Sequence, residues 1–208
     1  MEEDSLAKIV EGDIYERELR SSSFIETEYH VFLLANPRSG SREATRYTGL
    51  DFINCTIPLD KNVHAFLNVF NLTSADERRR CFRKMAALQA ESKLIHSLIK
   101  LDNPIQRLRL VIAGGDGSLI GAVASAKEAG VDVRHLPVCV LPYGTGNDLA
   151  QVTNWGKQPT GPMYQTLRNL MTEICINSRE EKLNVWTVNI TFKKNGDTLV
   201  WNSNTRRL

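Results

Sequence analysis

Val31-Phe32-Leu33-Leu34-Ala35 is an unbroken apolar run of strand length, and it stops at the turn cluster Asn36-Pro37-Arg38-Ser39-Gly40-Ser41. A run without alternation is what a strand buried on both faces requires. Phe52 to Ile57 repeats the pattern on a smaller scale and is expected to end at Pro58. Between 62 and 72 the apolar residues Val63, Phe66, Leu67 and Phe70 fall at helical spacing, which predicts a helix there. Ser74-Ala75-Asp76-Glu77 then has the form of a capping box, with Ser74 as cap and Glu77 reaching back. The helix it opens carries Cys81, Met85, Leu88, Ile95, Leu98 and Leu101 on one stripe, with basic residues on the other faces, and Asn103-Pro104 stops it. Its length allows a break near Glu91-Ser92.

A third buried strand, Leu108 to Ala113, leads into Gly114-Gly115-Asp116-Gly117-Ser118. An alanine-rich helix follows from about Leu119 to Ala129 and ends at Gly130. Leu136 to Leu141 is the next strand and runs into Pro142-Tyr143-Gly144-Thr145-Gly146-Asn147-Asp148 and a short helix. Residues 156–162 read as a loop, and Met163 to Ile176 as a helix with Leu167, Leu170, Met171 and Ile174 inward. After Arg179-Glu180-Glu181 the pattern changes: Val185 to Phe192 and Thr198 to Trp201 alternate around Asn195-Gly196, the chemistry of an antiparallel hairpin. Residues 1–28 show no convincing period and read as a tail or lead-in. Three regions follow: 1–28, a lobe at 29–180, and the beginning of a β-rich unit at 181–208.

Strand, turn and helix repeated from 31 to 176 imply an α/β lobe with a parallel sheet. In such a sheet all strands present their C-terminal ends at one edge, where ligands bind. Three turns rich in Gly, Asn, Ser and Asp each follow a strand directly, so the fold is expected to gather them there.

Composition narrows the partners. The apolar fraction is 42%, the charged fraction 24% and the formal net charge +2, an ordinary globular profile without a basic field for nucleic acid. No apolar run approaches the roughly 18 residues of a membrane span, and the acidic, polar first 30 residues do not resemble a secretory signal. Cys55, Cys81, Cys139 and Cys175 are far apart inside apolar stretches and read as buried free thiols of a reducing, cytoplasmic compartment. His30, His64, His96 and His135 lie in unrelated elements and suggest no metal site.

The Gly114–Ser118 loop carries the sharpest chemical signal. Glycines at a strand end leave no Cβ in the way of a phosphate, and the helix that follows points free N–H groups and its positive dipole end at the same space. That dipole favours the charged form of Asp116, which is then suited to hold Mg²⁺, directly or through water, or to accept the proton of an attacking hydroxyl. The plainer reading is a tight βα turn with Asp116 as an N-cap. Gly144, Thr145 and Gly146 repeat the phosphate argument. Asn147 suits a base, ribose or metal-bound water, and Asp148 is either a site residue or an ordinary first-turn acid. In the first loop, Asn36, Ser39 and Gly40 fit a strand-ending turn as well as a ligand site, and Arg38 adds a cation. Arg78-Arg79-Arg80 could meet anionic lipid, though such a run usually faces water. There is no Walker A pattern and no GxGxxG.

Together, NPRSG at 36–40, GGDGS at 114–118 and LPYGTGNDLA at 141–150 resemble the three signatures of diacylglycerol kinase catalytic domains, in order. Sphingosine kinases and bacterial lipid kinases share the outline, and the resemblance covers roughly 30 to 190. GGDG alone is also similar to NAD kinases and 6-phosphofructokinases. The GTGNDLA loop with Trp155-Gly156 points to the lipid kinases, the eukaryotic type in particular. The resemblance implies a Rossmann-like, three-layer, NAD kinase-like lobe and ATP- and Mg²⁺-dependent phosphorylation of diacylglycerol, presented at a membrane surface, to phosphatidic acid. It implies Asp116 as general base or Mg²⁺-linked acid. Gly114, Gly115, Gly117 and Ser118 would lie along the ATP phosphates; Gly144, Thr145, Gly146, Asn147 and Asp148 would complete the site, with Asn36, Ser39 and Gly40 near it. Ser118 stands where threonine is more usual, Ser41 where a second glycine is common, and Tyr143 where leucine is common.

In that family a β-rich domain follows the nucleotide lobe and supplies acidic residues and much of the lipid pocket. These residues stop one hairpin into that region, so they are expected to bind nucleotide weakly and turn over little lipid alone. A soluble-substrate kinase of the NAD kinase or phosphofructokinase kind, and a nucleotide-binding regulatory domain without catalysis, are the alternatives. A protein–protein module built on the basic helix after Ser74 is a more distant one.

Overall fold

The computed structural model describes residues 27–48, 54–99 and 107–184; residues 1–26 of the expected lead-in and the hairpin around Asn195-Gly196 lie outside them, while Thr27 and Glu28 belong to the first strand. Strands β1 (Thr27–Ala35), β2 (Asn54–Asp60), β3 (Val63–Asn71), β4 (Leu108–Gly114) and β5 (Val138–Pro142) form one sheet in the order β2-β3-β1-β4-β5. β1 lies parallel to both β3 and β4, and β4 parallel to β5; only the β2–β3 pair is antiparallel.

Successive strand side chains point to opposite faces, and here both faces are covered. Val31, Leu33 and Ala35 of β1 join Ala65, Leu67 and Val69 of β3 under helix α1 (Thr45–Thr48) and the helix at Leu167–Thr172. Phe32 and Leu34 join Phe70, Leu110 and Ile112 under helix α2 (Ala75–Ile99) and helix α3 (Asp116–Glu128). This explains the unbroken apolar run of 31–35: each residue is fully buried, on one side or the other. Phe32 and Phe70 stack across neighbouring strands with centroids 6.2 Å apart. Burial of a side chain of this size contributes about 1.5–3 kcal/mol.

Residues 63–71 are a strand where helical spacing predicts a helix. The alternation toward two faces was disguised because a polar residue, Asn68, occupies one inward position. Its burial is made tolerable by the Lys84 ammonium, which donates to Asn68 Oδ1 at 2.6 Å. The strand around Cys55 also runs through Pro58, which pairs opposite His64 and is followed by a bulge before Asp60. β2 is the sheet edge, where a missing N–H costs little.

α2 is continuous from Ala75 to Ile99, without a break at Glu91-Ser92. Its start is half of a capping box. Ser74 Oγ accepts from the Glu77 N–H at 3.3 Å, but the Glu77 carboxylate accepts from the Asn71 N–H at 2.7 Å and so ties the helix to the end of β3. Glu77→Ala is expected to cost about 1–3 kcal/mol, read as a lower urea midpoint at unchanged slope. An unmoved midpoint would mean that this tie carries no stability.

Helix α4 (Asp148–Val152) follows β5. The single helix expected over 163–176 is three pieces: a 3-10 turn at Pro162–Tyr164, helix α5 (Leu167–Thr172) and a π-turn at Glu173–Asn177. Its inward residues are as expected, since Leu167, Leu170, Met171 and Ile174 are all buried. Thr166 starts α5 afresh by accepting from the Asn169 N–H at 3.1 Å. No helix among the described residues is long and apolar enough to cross a membrane.

Candidate functional site

Chain order and sheet order part company between β1 and β4. From β1 the chain passes to β2 and β3 on one side, then crosses to β4 on the other. A crevice opens outside the carboxyl ends of strands at such a switch point. Here the Asn36 N–H donates to Ala113 O at 2.9 Å and the Asn36 amide to Ser118 Oγ at 2.8 Å, joining the loops after β1 and β4. Asn36 Oδ1 accepts from the Arg38 N–H at 3.0 Å, shaping the first turn.

A cleft of about 830 Å³ lies over this junction. Of the residues singled out from sequence, Asn36, Ser39, Gly115, Asp116, Gly117, Ser118, Thr145 and Gly146 line it. Gly40, Gly114, Gly144, Asn147 and Asp148 are not among its lining residues; the two glycines closest to a neighbouring loop, Gly40 and Gly144, pack the three loops together. A Cβ on Gly144 would lie 2.3 Å from Gly115 Cα, so the second and third loops touch backbone to backbone. Gly40, at φ +49°, would place a Cβ 2.6 Å from the Tyr143 carbonyl oxygen.

Asn147, expected to meet a base, ribose or metal-bound water, is turned inward and 3% exposed. Its Oδ1 accepts from the Gly144 N–H at 2.8 Å, and its amide donates to Gly144 O at 2.8 Å and Lys157 O at 2.9 Å. With backbone in the left-handed region at φ 56°, it closes the loop on itself and opens α4. Its hydrogen-bonding capacity is directed at the loop, and that makes it a positioning residue in this geometry.

Asp116 begins α3, whose N-cap Gly115 provides no side-chain cap; the Ser118 N–H donates back to Gly115 O at 2.9 Å, and Gly115 to Ser118 line the cleft. The Asp116 carboxylate also reaches across to α4. Oδ2 accepts from the Asp148 N–H at 3.0 Å and Oδ1 from the Leu149 N–H at 3.2 Å. Each oxygen keeps a further lone pair for a ligand. Asp116 and Asp148 carboxylate oxygens both lie near Gly146, 3.7 and 3.9 Å from where its Cβ would be. Arg38 and Arg78 line the same cleft.

Sequence reading singled out Arg38 in the first loop and Arg78 only as a candidate for anionic lipid, and it missed the rest of this lining. Leu72 and Thr73, from the turn after β3, and Arg78, in the first turns of α2, line the cleft, as do Gly121, Ala122 and Ser125 of α3. Arg78 is held by donating to Leu72 O at 2.6 Å. Reading 63–71 as a strand would have marked Leu72-Thr73-Ser74 as a fourth strand-end turn at the same edge.

Beneath the third loop, the Tyr47 and Tyr143 hydroxyls share a buried hydrogen bond of 2.8 Å. Burial first, and each other's proximity for Tyr143, push the phenol of Tyr143 far above the ordinary tyrosine value, and burial raises that of Tyr47. The cysteines offer no nucleophile. Burial pushes Cys55 up to about 11 and Cys175 up to about 12, so these thiols stay protonated near neutral pH. Among the described residues no three His, Cys, Asp or Glu side chains are grouped to hold a metal unaided.

The family model described as diacylglycerol kinase catalytic domain matches residues 30–178. Diacylglycerol kinase 1 of Arabidopsis thaliana is 28% identical over 146 residues, covering 66% of this chain and 18% of that protein. Diacylglycerol kinase iota of Rattus norvegicus is 41% identical over 58 residues, 28% of this chain and 5% of that protein. Diacylglycerol kinase zeta of Homo sapiens is 38% identical over 58 residues, 28% of this chain and 6% of that protein. The chain thus spans less than a fifth of the length of these relatives. No solved structure matches it significantly.

Proposed function

This chain belongs to the family of diacylglycerol kinase catalytic domains, and from that premise we propose that its cleft binds ATP for transfer of the γ-phosphoryl group to the primary hydroxyl of diacylglycerol. The observation that carries the reading is the meeting of an uncapped helix N-terminus, a glycine backbone and the Asp116 carboxylate at the sheet's switch point. Backbone N–H groups at the start of α3, with Arg38 and Arg78 lining the same cleft, suit the negative charge of a triphosphate. The cleft volume of about 830 Å³ accommodates a nucleotide.

The donor set fits Mg²⁺, which takes one or two carboxylates and completes its shell with water and phosphate oxygens. Asp116 would hold it, with Asp148 nearby, and the ion would neutralise charge on the transferring phosphoryl group. The chain's own part is then to orient the phosphates along Gly115–Ser118 and to present Asp116 where a proton of the attacking hydroxyl can be taken up. Diacylglycerol would be met at a membrane surface by the cytoplasmic protein, with the lipid pocket completed by chain beyond residue 180.

A non-catalytic nucleotide-binding domain is the second reading, favoured by one observation: Asp116 already serves as a brace on α4. The test is phosphoryl transfer from ATP by the full-length protein, with diacylglycerol in mixed micelles set against NAD and fructose 6-phosphate. Phosphatidic acid as the magnesium-dependent product is expected, and the 208-residue chain alone should give little of it. Transfer to NAD or fructose 6-phosphate instead, or ATP binding without transfer to any of the three, would replace this reading.

A further inference from the structure

We propose that the Tyr47–Tyr143 hydroxyl pair is a positioning device that ties the first loop to the third and so holds the cleft in its nucleotide-binding shape; its functional part rests on the reading above. Tyr143 stands where the loops converge. Its N–H lies 3.2 Å from Gly114 O, its carbonyl is the atom against which Gly40 packs, and its neighbour Gly144 packs on Gly115. From that junction the side chain leaves the cleft and enters the apolar layer, where its ring meets the Tyr47 ring edge-on at 5.6 Å and the hydroxyls meet at 2.8 Å. Tyr47 belongs to α1, the helix that directly continues the first loop.

Tyr47 and Tyr143 are 3% and 2% exposed, and neither hydroxyl has another partner among the described residues. A buried hydroxyl is costly unless bonded, so the arrangement that joins the two is selected over its neighbours. A leucine at 143 would fill the space without imposing a direction. Two joined phenols impose one, because moving Gly144 to Asn147 outward draws the Tyr143 hydroxyl away from that of Tyr47.

The test is hydrogen exchange of the 208-residue chain, read by mass spectrometry, for wild type, Tyr47→Phe and Tyr47→Phe/Tyr143→Phe, with thermal midpoints and Mg-ATP titrations beside it. Tyr47→Phe should speed exchange over 144–152 about 2- to 10-fold, although the two tyrosines are 96 residues apart in sequence, and leave β4 unchanged. The double variant strands no hydroxyl, so its midpoint should return toward wild type while loop exchange stays fast and ATP affinity stays lowered by a similar factor. Unchanged loop exchange in Tyr47→Phe, equal acceleration in loop and sheet, or recovery of the loop together with the midpoint in the double variant would each overturn the tie. Absence of ATP binding by wild type would count against the nucleotide reading, while the exchange comparison would still decide whether the tie exists.

Discussion

Asp116→Asn in the full-length protein is expected to lower phosphoryl transfer at least about 100-fold, the loss typical when a general base or a metal-linked carboxylate is removed. The same change should move stability little. The substituted amide keeps one acceptor for the two N–H groups of Asp148 and Leu149 that Asp116 now receives, so the start of α4 loses about one capping bond, roughly 0.5–2 kcal/mol. For a chain of this size that is a fall of about 1–8 °C in thermal midpoint. The two numbers separate the roles of one side chain. A brace alone predicts a modest loss of activity that follows the loss of structure, whereas a carboxylate at the chemistry predicts loss of turnover in folded protein that still binds ATP. Unchanged turnover would leave Asp116 as a brace and favour the non-catalytic reading.

The loops of this site were legible because each combines two independent signals. A buried strand announces itself by an unbroken apolar run, and its end by Gly, Asn and Ser; parallel topology then brings such ends to one edge. This works for 31–40, 108–118 and 138–148. It fails for 63–74, where Asn68 interrupts the apolar run and the remaining residues imitate a helical period. The cost of that misreading was functional as well as structural, since it hid Leu72 and Thr73 on the cleft wall. Asn147 illustrates another limit. A polar residue in a glycine loop reads as a ligand contact, yet whether it faces the ligand or the loop depends on one backbone angle that local composition does not reveal. Asp116 was read as either a site acid or an N-cap of its own helix. It also braces α4, through a contact across 32 residues of sequence that no local pattern encodes.

Gly144→Ala and Gly117→Ala should fail in opposite ways, and their contrast tests where a phosphate would lie. At Gly144 the new methyl would meet Gly115 Cα at 2.3 Å, Gly115 N at 2.8 Å and Asn147 Oδ1 at 2.9 Å. Two of these are backbone atoms of an adjoining loop and cannot swing aside, so two loops must part. Overpacking of this kind costs about 1–3 kcal/mol or more, a fall of at least about 2–12 °C in midpoint, and ATP binding should be lost with the loop geometry. At Gly117 a methyl meets nothing within 4 Å. Gly117 lies in the first turn of α3, where alanine is the better helix former by up to about 1 kcal/mol, so the midpoint should hold or rise. Yet Gly117 lines the cleft, and a methyl there would stand between a phosphate and the α3 N–H groups. ATP affinity should therefore fall about tenfold or more in a protein as stable as wild type, because a lost charge-assisted hydrogen bond costs about 1.5–3 kcal/mol. Wild-type affinity in Gly117→Ala would mean that the phosphates do not approach this face, and the open space beside Gly117 would then be a gap in the packing with no ligand to explain it.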